Sequence, residues 1–352
     1  MENILHQRNS NLDIIRILAA AAVVMIHCGA MFVADYLPQS WEFRIANILE
    51  CLSQLGVPLF VMISGALFLD ERRQVTFRGM LSKNVKSLAI VTVLWAGIFA
   101  LLYQIAFPLL TGEAISVDCV IRSFLDGYYH MWYLYMILGL YMITPFLKKF
   151  VCKQNKAMVL SFIVISATVQ FLLPTADVLL GKYLDGFSIT TWVGKFNLGF
   201  FNGYIAYFLI GWYIAHVGIR QRWLKRSIYV LGVGALAAMI CHGYFAEDYN
   251  QAYINTSVFV LIYSVSVFQA LCSWKVRLKE RTVEKLARIS KLTFGVYMIH
   301  PILLGLYQKA FPYSQHPAIY ILVCFVAVAG SSFLAAYVVS KIPVIKKLIK
   351  VS

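Results

Sequence analysis

Ten predominantly apolar stretches of about 20 residues recur along this chain, each long enough to cross a ~30 Å hydrocarbon core as an α-helix. They fall near residues 12–33, 43–69, 84–107, 130–147, 156–173, 199–217, 227–245, 253–273, 291–308 and 318–340. Inside lipid each backbone N–H and C=O must be paired within its own segment, so stretches of this kind have to be helical. The expected fold is all-α: a polytopic membrane helical bundle of about ten transmembrane helices. Composition agrees. Charged residues make up 13% of the 352 positions and apolar residues 61%, whereas a soluble domain carries about 25% charged residues.

A net charge of +15 would suit a nucleic-acid partner, but its distribution argues against one. Basic residues fall in alternate connections, as the positive-inside rule requires. One side receives Arg8 and Arg16, then Arg72, Arg73, Arg78, Lys83 and Lys86, then Lys148, Lys149, Lys153 and Lys156. It continues with Arg220, Arg222, Lys225 and Arg226, with Lys275, Arg277, Lys279, Arg281, Lys285, Arg288 and Lys291, and with Lys341, Lys346, Lys347 and Lys350. That is 26 of the 31 basic residues; Arg44, Arg122, Lys182, Lys195 and Lys309 fall opposite. The expectation is ten spans, both termini cytoplasmic, in a multi-pass protein of a prokaryotic-type cell (inner or plasma) membrane, with membrane lipids as partners and no nucleic acid.

The first span is too long for a cleaved signal and lacks a small-residue cleavage site. The seven cysteines show neither a CxxC spacing nor a disulfide framework, so no metal site is expected. Residues 1–352 read as a single transmembrane domain with no soluble domain. The outer connections near 108–129 and 174–198 are short.

Polar residues within such spans are costly and mark candidate sites. The first span, NLDIIRILAAAAVVMIHCGAMF, holds Asp13, Arg16 and His27. Asp13 and Arg16 are three apart and can pair on one face. Arg16 and His27, eleven apart, share a stripe about 16 Å long. The alternative is a helix-end anchor and a histidine that only bonds a neighbouring helix. In the second span Glu50 and Gln54 lie at i and i+4, Pro58 predicts a kink, and Ser64-Gly65 permits close packing. His130, Trp132 and Tyr133 open the fourth span, either as an interfacial aromatic belt or as a rim for a sugar. His300, followed by Pro301, lies deep in the ninth span; one reading is a histidine bonding the carbonyl that the proline frees.

Taken together, these strings resemble acyltransferase family 3, whose members O-acylate surface glycans. The resemblance runs from LDIIRILAAAAVVMIH with its Arg-x10-His pair, through VPLFVMISGALF, HMWYLYMI and YFLIGWYI, to SKLTFGVYMIHPIL. It is closest to the single-domain members. It implies a membrane O-acyltransferase that moves an acyl group, acetyl above all, from acyl-CoA on the cytoplasmic side to a hydroxyl of a glycan or lipid-linked saccharide on the other. Acetyl-CoA would be a co-substrate, with no cofactor bound. His27 matches the family's catalytic histidine and Arg16 its essential arginine, with Asp13 holding Arg16. Arg72, Arg73, Arg78 and Lys83 form the basic cluster expected to hold the coenzyme A phosphates, although their spacing departs from the family's Arg-x-x-Arg. His130, Trp132, Tyr133 and His300 are the expected acceptor side. His27 would serve as general base or as a transiently acylated nucleophile. Two other classes also fit a bundle with buried polar groups: a transporter or flippase for a lipid-linked sugar or small solute, and a scaffold or sensor.

Overall fold

The computed structural model describes residues 10–35, 40–180, 183, 187–201, 203–245, 255–274, 278–312, 316–343 and 345–349. Every regular element among them is helical. We number the main helices α1 (Ser10–Asp35), α2 (Trp41–Ser53), α3 (Gly56–Phe68), α4 (Phe77–Thr111), α5 (Val117–Asp126), α6 (Trp132–Phe150), α7 (Lys156–Leu180) and α8 (Ile205–Val217). They are followed by α9 (Arg222–Phe245), α10 (Val258–Ser273), α11 (Glu280–Ser290), α12 (Thr293–Ala310) and α13 (Pro317–Lys341).

Six helices or helix pairs among the described residues are long and apolar enough to cross a membrane: α1, α2 with α3, α4, α7, α9 and α13. A seventh is added if α11 and α12, bent by 50°, count as one span. The three other expected spans fall on α6 and on the shorter apolar helices α8 and α10. Arg8, Lys182, Lys275, Arg277 and Lys350 lie outside the described residues, as do both chain ends.

Helix α1 is the central strut, in contact with α2, α3, α10, α11, α12 and α13. Its small residues allow this: Ala19, Ala20 and Ala22 are buried along it. The break between α2 and α3 sits at Gln54 and Leu55. Pro58 has no N–H for the Gln54 carbonyl, so the ladder opens there, one turn before the proline. The Gln54 side chain turns back along α2 and donates to Glu50 Oε1 at 3.0 Å.

Beyond the break, α3 lies against α8 with the backbones touching. A Cβ on Gly65 would overlap the Phe208 carbonyl, and one on Gly211 would overlap the Met62 carbonyl. Small residues permit such approaches between helices in lipid, where packing rather than hydrophobicity drives association. The segment Ile345–Ile349 folds back on the bundle. Trp95 Nε1 on α4 donates to the Leu348 carbonyl at 2.9 Å, and Ile349 is buried beside Gly295.

Gly65→Ala and Gly211→Ala should therefore each destabilise the folded protein by about 1–3 kcal/mol, the range for an overpacked core. Gly139→Ala on α6, where a Cβ meets nothing within 4 Å, should be silent. Thermal unfolding of the three variants in detergent checks this.

Candidate active site

Three imidazoles from three elements meet inside the bundle. His27 comes from α1, His130 from the turn before α6, and His300 from α12. The His27 and His300 rings stack with centroids 5.2 Å apart, and His130 meets His300 edge-on at 5.6 Å. Tyr129, half exposed, sets its ring 4.9 Å from His27.

Local chemistry fixes each ring. Pro301 cannot donate to the Tyr297 carbonyl one turn earlier. His300 Nδ1 donates to that oxygen instead, at 2.8 Å. This sets the tautomer with Nδ1 protonated, so Nε2 carries the lone pair. Nε2 is buried and has no partner among the described residues. Tyr297 donates its hydroxyl to the His130 carbonyl and packs its ring 5.2 Å from the His130 ring. Neither nitrogen of His130 has a partner among the described residues. His130 and His300 are fully enclosed, at 2% and 0% exposure. His27 alone of the three retains some accessible surface.

A cavity of about 570 Å³ lies on the Arg16 side of this cluster. At one end it is lined by Arg16, Arg73, Asn84, Ser290 and Lys291, and at the other by Tyr133 and Tyr297, whose rings stand 5.5 Å apart. Phe60, Ser64, Leu67 and Phe68 of α3 form one wall and Leu134, Ile137 and Tyr141 of α6 another. The volume suits an organic ligand; such pockets are typically about 300–1,000 Å³. The cavity is cationic at one end, and along its length Ser64, Tyr141 and Thr293 stand among aliphatic and aromatic side chains. Arg16 donates to Ser290 Oγ at 3.2 Å and stands 3.9 Å from Asp13, the i, i+3 pair expected on α1. The Arg73 guanidinium lies 4.1 Å above the Phe68 ring.

The basic cluster after α3 divides. Arg73 lines the cavity. Arg72 points away and pairs with Asp70 at 2.8 Å, which holds the Asp70 carboxyl down at about 2. Arg78 and Lys83 are exposed and do not line it. The loop itself is clamped by Lys148, which donates to the Leu69 carbonyl at 3.1 Å and to the Asp70 carbonyl. The residues at the start of α6 divide as well. His130 joins the imidazole cluster, Tyr133 closes the cavity, and Trp132 faces outward against Tyr204 at 5.7 Å. Among the described residues no group of three or more His, Cys, Asp or Glu is arranged to hold a metal ion.

Tyr297, Lys291, Ser290 and Asn84 are part of the site without having been singled out from the sequence. Tyr297 carried a signal: it stands four residues before Pro301, so its carbonyl had to find a donor other than the helix.

No curated protein and no solved structure matches this chain. The acyltransferase domain of acyltransferase family 3 matches residues 9–336, nearly the whole chain, and the chain belongs to that family. With its membrane-spanning helices, it is a multi-pass membrane acyltransferase.

Tyr297→Phe should leave the His130 carbonyl short of its donor. A buried group so orphaned costs about 1–3 kcal/mol. The variant should unfold at lower temperature and lose part of its acyl transfer. An unchanged midpoint with unchanged turnover would show that the bond does no positioning.

Proposed function

We propose that this chain is an O-acyltransferase that moves an acetyl group from acetyl-CoA, bound as co-substrate on the cytoplasmic side, to a hydroxyl of a glycan or lipid-linked saccharide on the other side. The observation that carries this reading is the cavity: cationic at Arg16, Arg73 and Lys291, and ending at Tyr133 and Tyr297, of which Tyr297 packs on His130. Phosphates suit the cationic end, where charge-assisted hydrogen bonds are available, and a long, thin arm carrying amides suits a shaft that offers Ser64, Tyr141 and Thr293 among its apolar residues. Arg72, Arg78 and Lys83 add positive potential outside the cationic end. The topology that goes with this is ten spans with both ends on the basic, cytoplasmic side of a prokaryotic cell membrane, formed by one domain.

His27 is the reacting imidazole, being the member of the cluster with accessible surface. As general base it takes the proton of the acceptor hydroxyl while that oxygen attacks the thioester carbonyl. The C–O bond forms, the C–S bond breaks, and the proton passes to the departing thiolate to give free coenzyme A. His130 and His300 offer ring nitrogens without partners among the described residues, and these position water, the acceptor hydroxyl or the acyl oxygen beside it. Tyr129, exposed and against His27, flanks the acceptor's approach, with Trp132 further out.

General-base assistance is typically worth about 10²–10⁴-fold. His27→Ala should lose turnover by that factor while keeping its fold and its affinity for acetyl-CoA. Acetyl transfer by the purified variant at saturating donor tests this; turnover within about threefold of the parent would exclude His27 from the chemistry. Separately, Arg73→Gln with Lys291→Gln should weaken acetyl-CoA binding by about tenfold, as expected when hydrogen bonds to charged groups are lost. The loss should be larger at low salt than at high salt. Arg72→Gln, which removes a charge already paired, should change affinity far less. Isothermal titration of the three proteins gives the comparison.

A further inference from the structure

A second cavity, of about 380 Å³, opens on the other side of the bundle between α7, α8, α9 and α10. Its walls are almost wholly aliphatic, with Ile163, Ile214, Leu224, Ile228 and Ile262 among them, and Gln221 stands at its end. Lining residues Gly218, Ile219 and Gln221 belong to the connection between α8 and α9, so the groove ends at that surface of the bundle. Nothing in the proposed reaction uses it.

Charges are not scattered at random around that end. Lys156 opens α7 and stands four residues before Leu160 and seven before Ile163, on the face that lines the groove. Arg220, exposed, falls between the lining residues Ile219 and Gln221. Lys225 follows Gln221 by four residues and precedes Ile228 by three, which sets it at the edge of the lined face of α9. Arg222 and Arg226, at 100° per residue, fall on the opposite side of that helix. Three cations from three places in the chain thus adjoin lining residues of an aliphatic slot without lining it themselves.

We propose that this groove is a site for one anionic phospholipid of the leaflet on the basic side, its acyl chain lying along Ile163, Ile214, Leu224 and Ile262 and its phosphate held by Lys156, Arg220 and Lys225. An uncharged lipid would fill the slot but leave the cations unanswered, and a soluble anion would leave the slot empty. Both halves of the site are satisfied by a ligand that is apolar and anionic at once. Basic pockets between transmembrane helices are a recurrent form of headgroup recognition.

Native mass spectrometry of the full chain, released from detergent after incubation with equimolar phosphatidylglycerol and phosphatidylcholine of identical acyl chains, tests the site. The parent should retain one phosphatidylglycerol in preference to phosphatidylcholine by about tenfold, given the contribution of each basic residue near the surface. Lys156→Gln with Arg220→Gln and Lys225→Gln should bring the two lipids within about twofold. Arg222→Gln with Arg226→Gln, which removes neighbouring charge from the same connection, should keep the preference. Ile262→Trp, filling the slot, should reduce retention of both lipids. Equal retention of both lipids by the parent would make the groove an ordinary lipid contact and overturn the proposal. So would equal effects of the two charge variants. Because the charge variants alter exposed or edge positions, they decide the matter even if Ile262→Trp fails to fold.

Discussion

The backbone contact between α3 and α8 is the joint on which the site depends. Gly65 rests on Phe208 and Gly211 on Met62, each chain filling the space that a side chain would occupy on the other. In lipid there is little hydrophobic gain from bringing helices together, so close packing must supply the association. With α3 held on that side, the residues on its remaining surface, Phe60, Ser64, Leu67 and Phe68, are free to face the cavity. At its start α3 also leans on α1, where a Cβ on Gly56 would crowd Val23 and the Ala19 carbonyl. A helix fixed at two points on two neighbours forms a firm wall for the cavity.

The histidine cluster follows from a second constraint, the cost of unpaired polar groups away from water. Two carbonyls in this region are taken up by side chains rather than by helix N–H groups. Pro301 frees the Tyr297 oxygen, which orders His300; Tyr297 in turn orders the turn at His130 through that residue's carbonyl. The side chains so fixed leave ring nitrogens turned inward without partners among the described residues. A fold maintained only for stability would have little reason to keep three such nitrogens. A site that receives a polar substrate has one, and local inconsistency of this kind is characteristic of functional positions.

Much of this was legible in the chain, and the limits are physical. The Asp13–Arg16 pair and the stripe from Arg16 to His27 depend only on helical repeat, and α1 is an uninterrupted helix. The break at Pro58 and the carbonyl bond of His300 follow from a missing N–H, a property of one residue. Residues adjacent in sequence misled more readily. His130, Trp132 and Tyr133 read as one rim, but the chain enters α6 there and turns about 100° per residue, so they serve three different surroundings. Arg72 and Arg73 read as one basic cluster; Asp70 captures the first and leaves the second to the cavity. Lys291 counted only toward topology and Ser290 not at all, because nothing local reveals that the bend between α11 and α12 brings Ser290 to Arg16 and Lys291 to the cavity.

The central claim is that the donor enters by the Arg73 end and reaches the histidines along α3. Electron cryomicroscopy of the protein with a non-hydrolysable acetyl-CoA analogue, in a lipid nanodisc, tests it most directly. Phosphate density is expected beside Arg16, Arg73 and Lys291, with a thin arm passing Ser64 and Ile137 to end between Tyr133 and Tyr297. An analogue bound in any other groove, with this cavity unchanged, would contradict it.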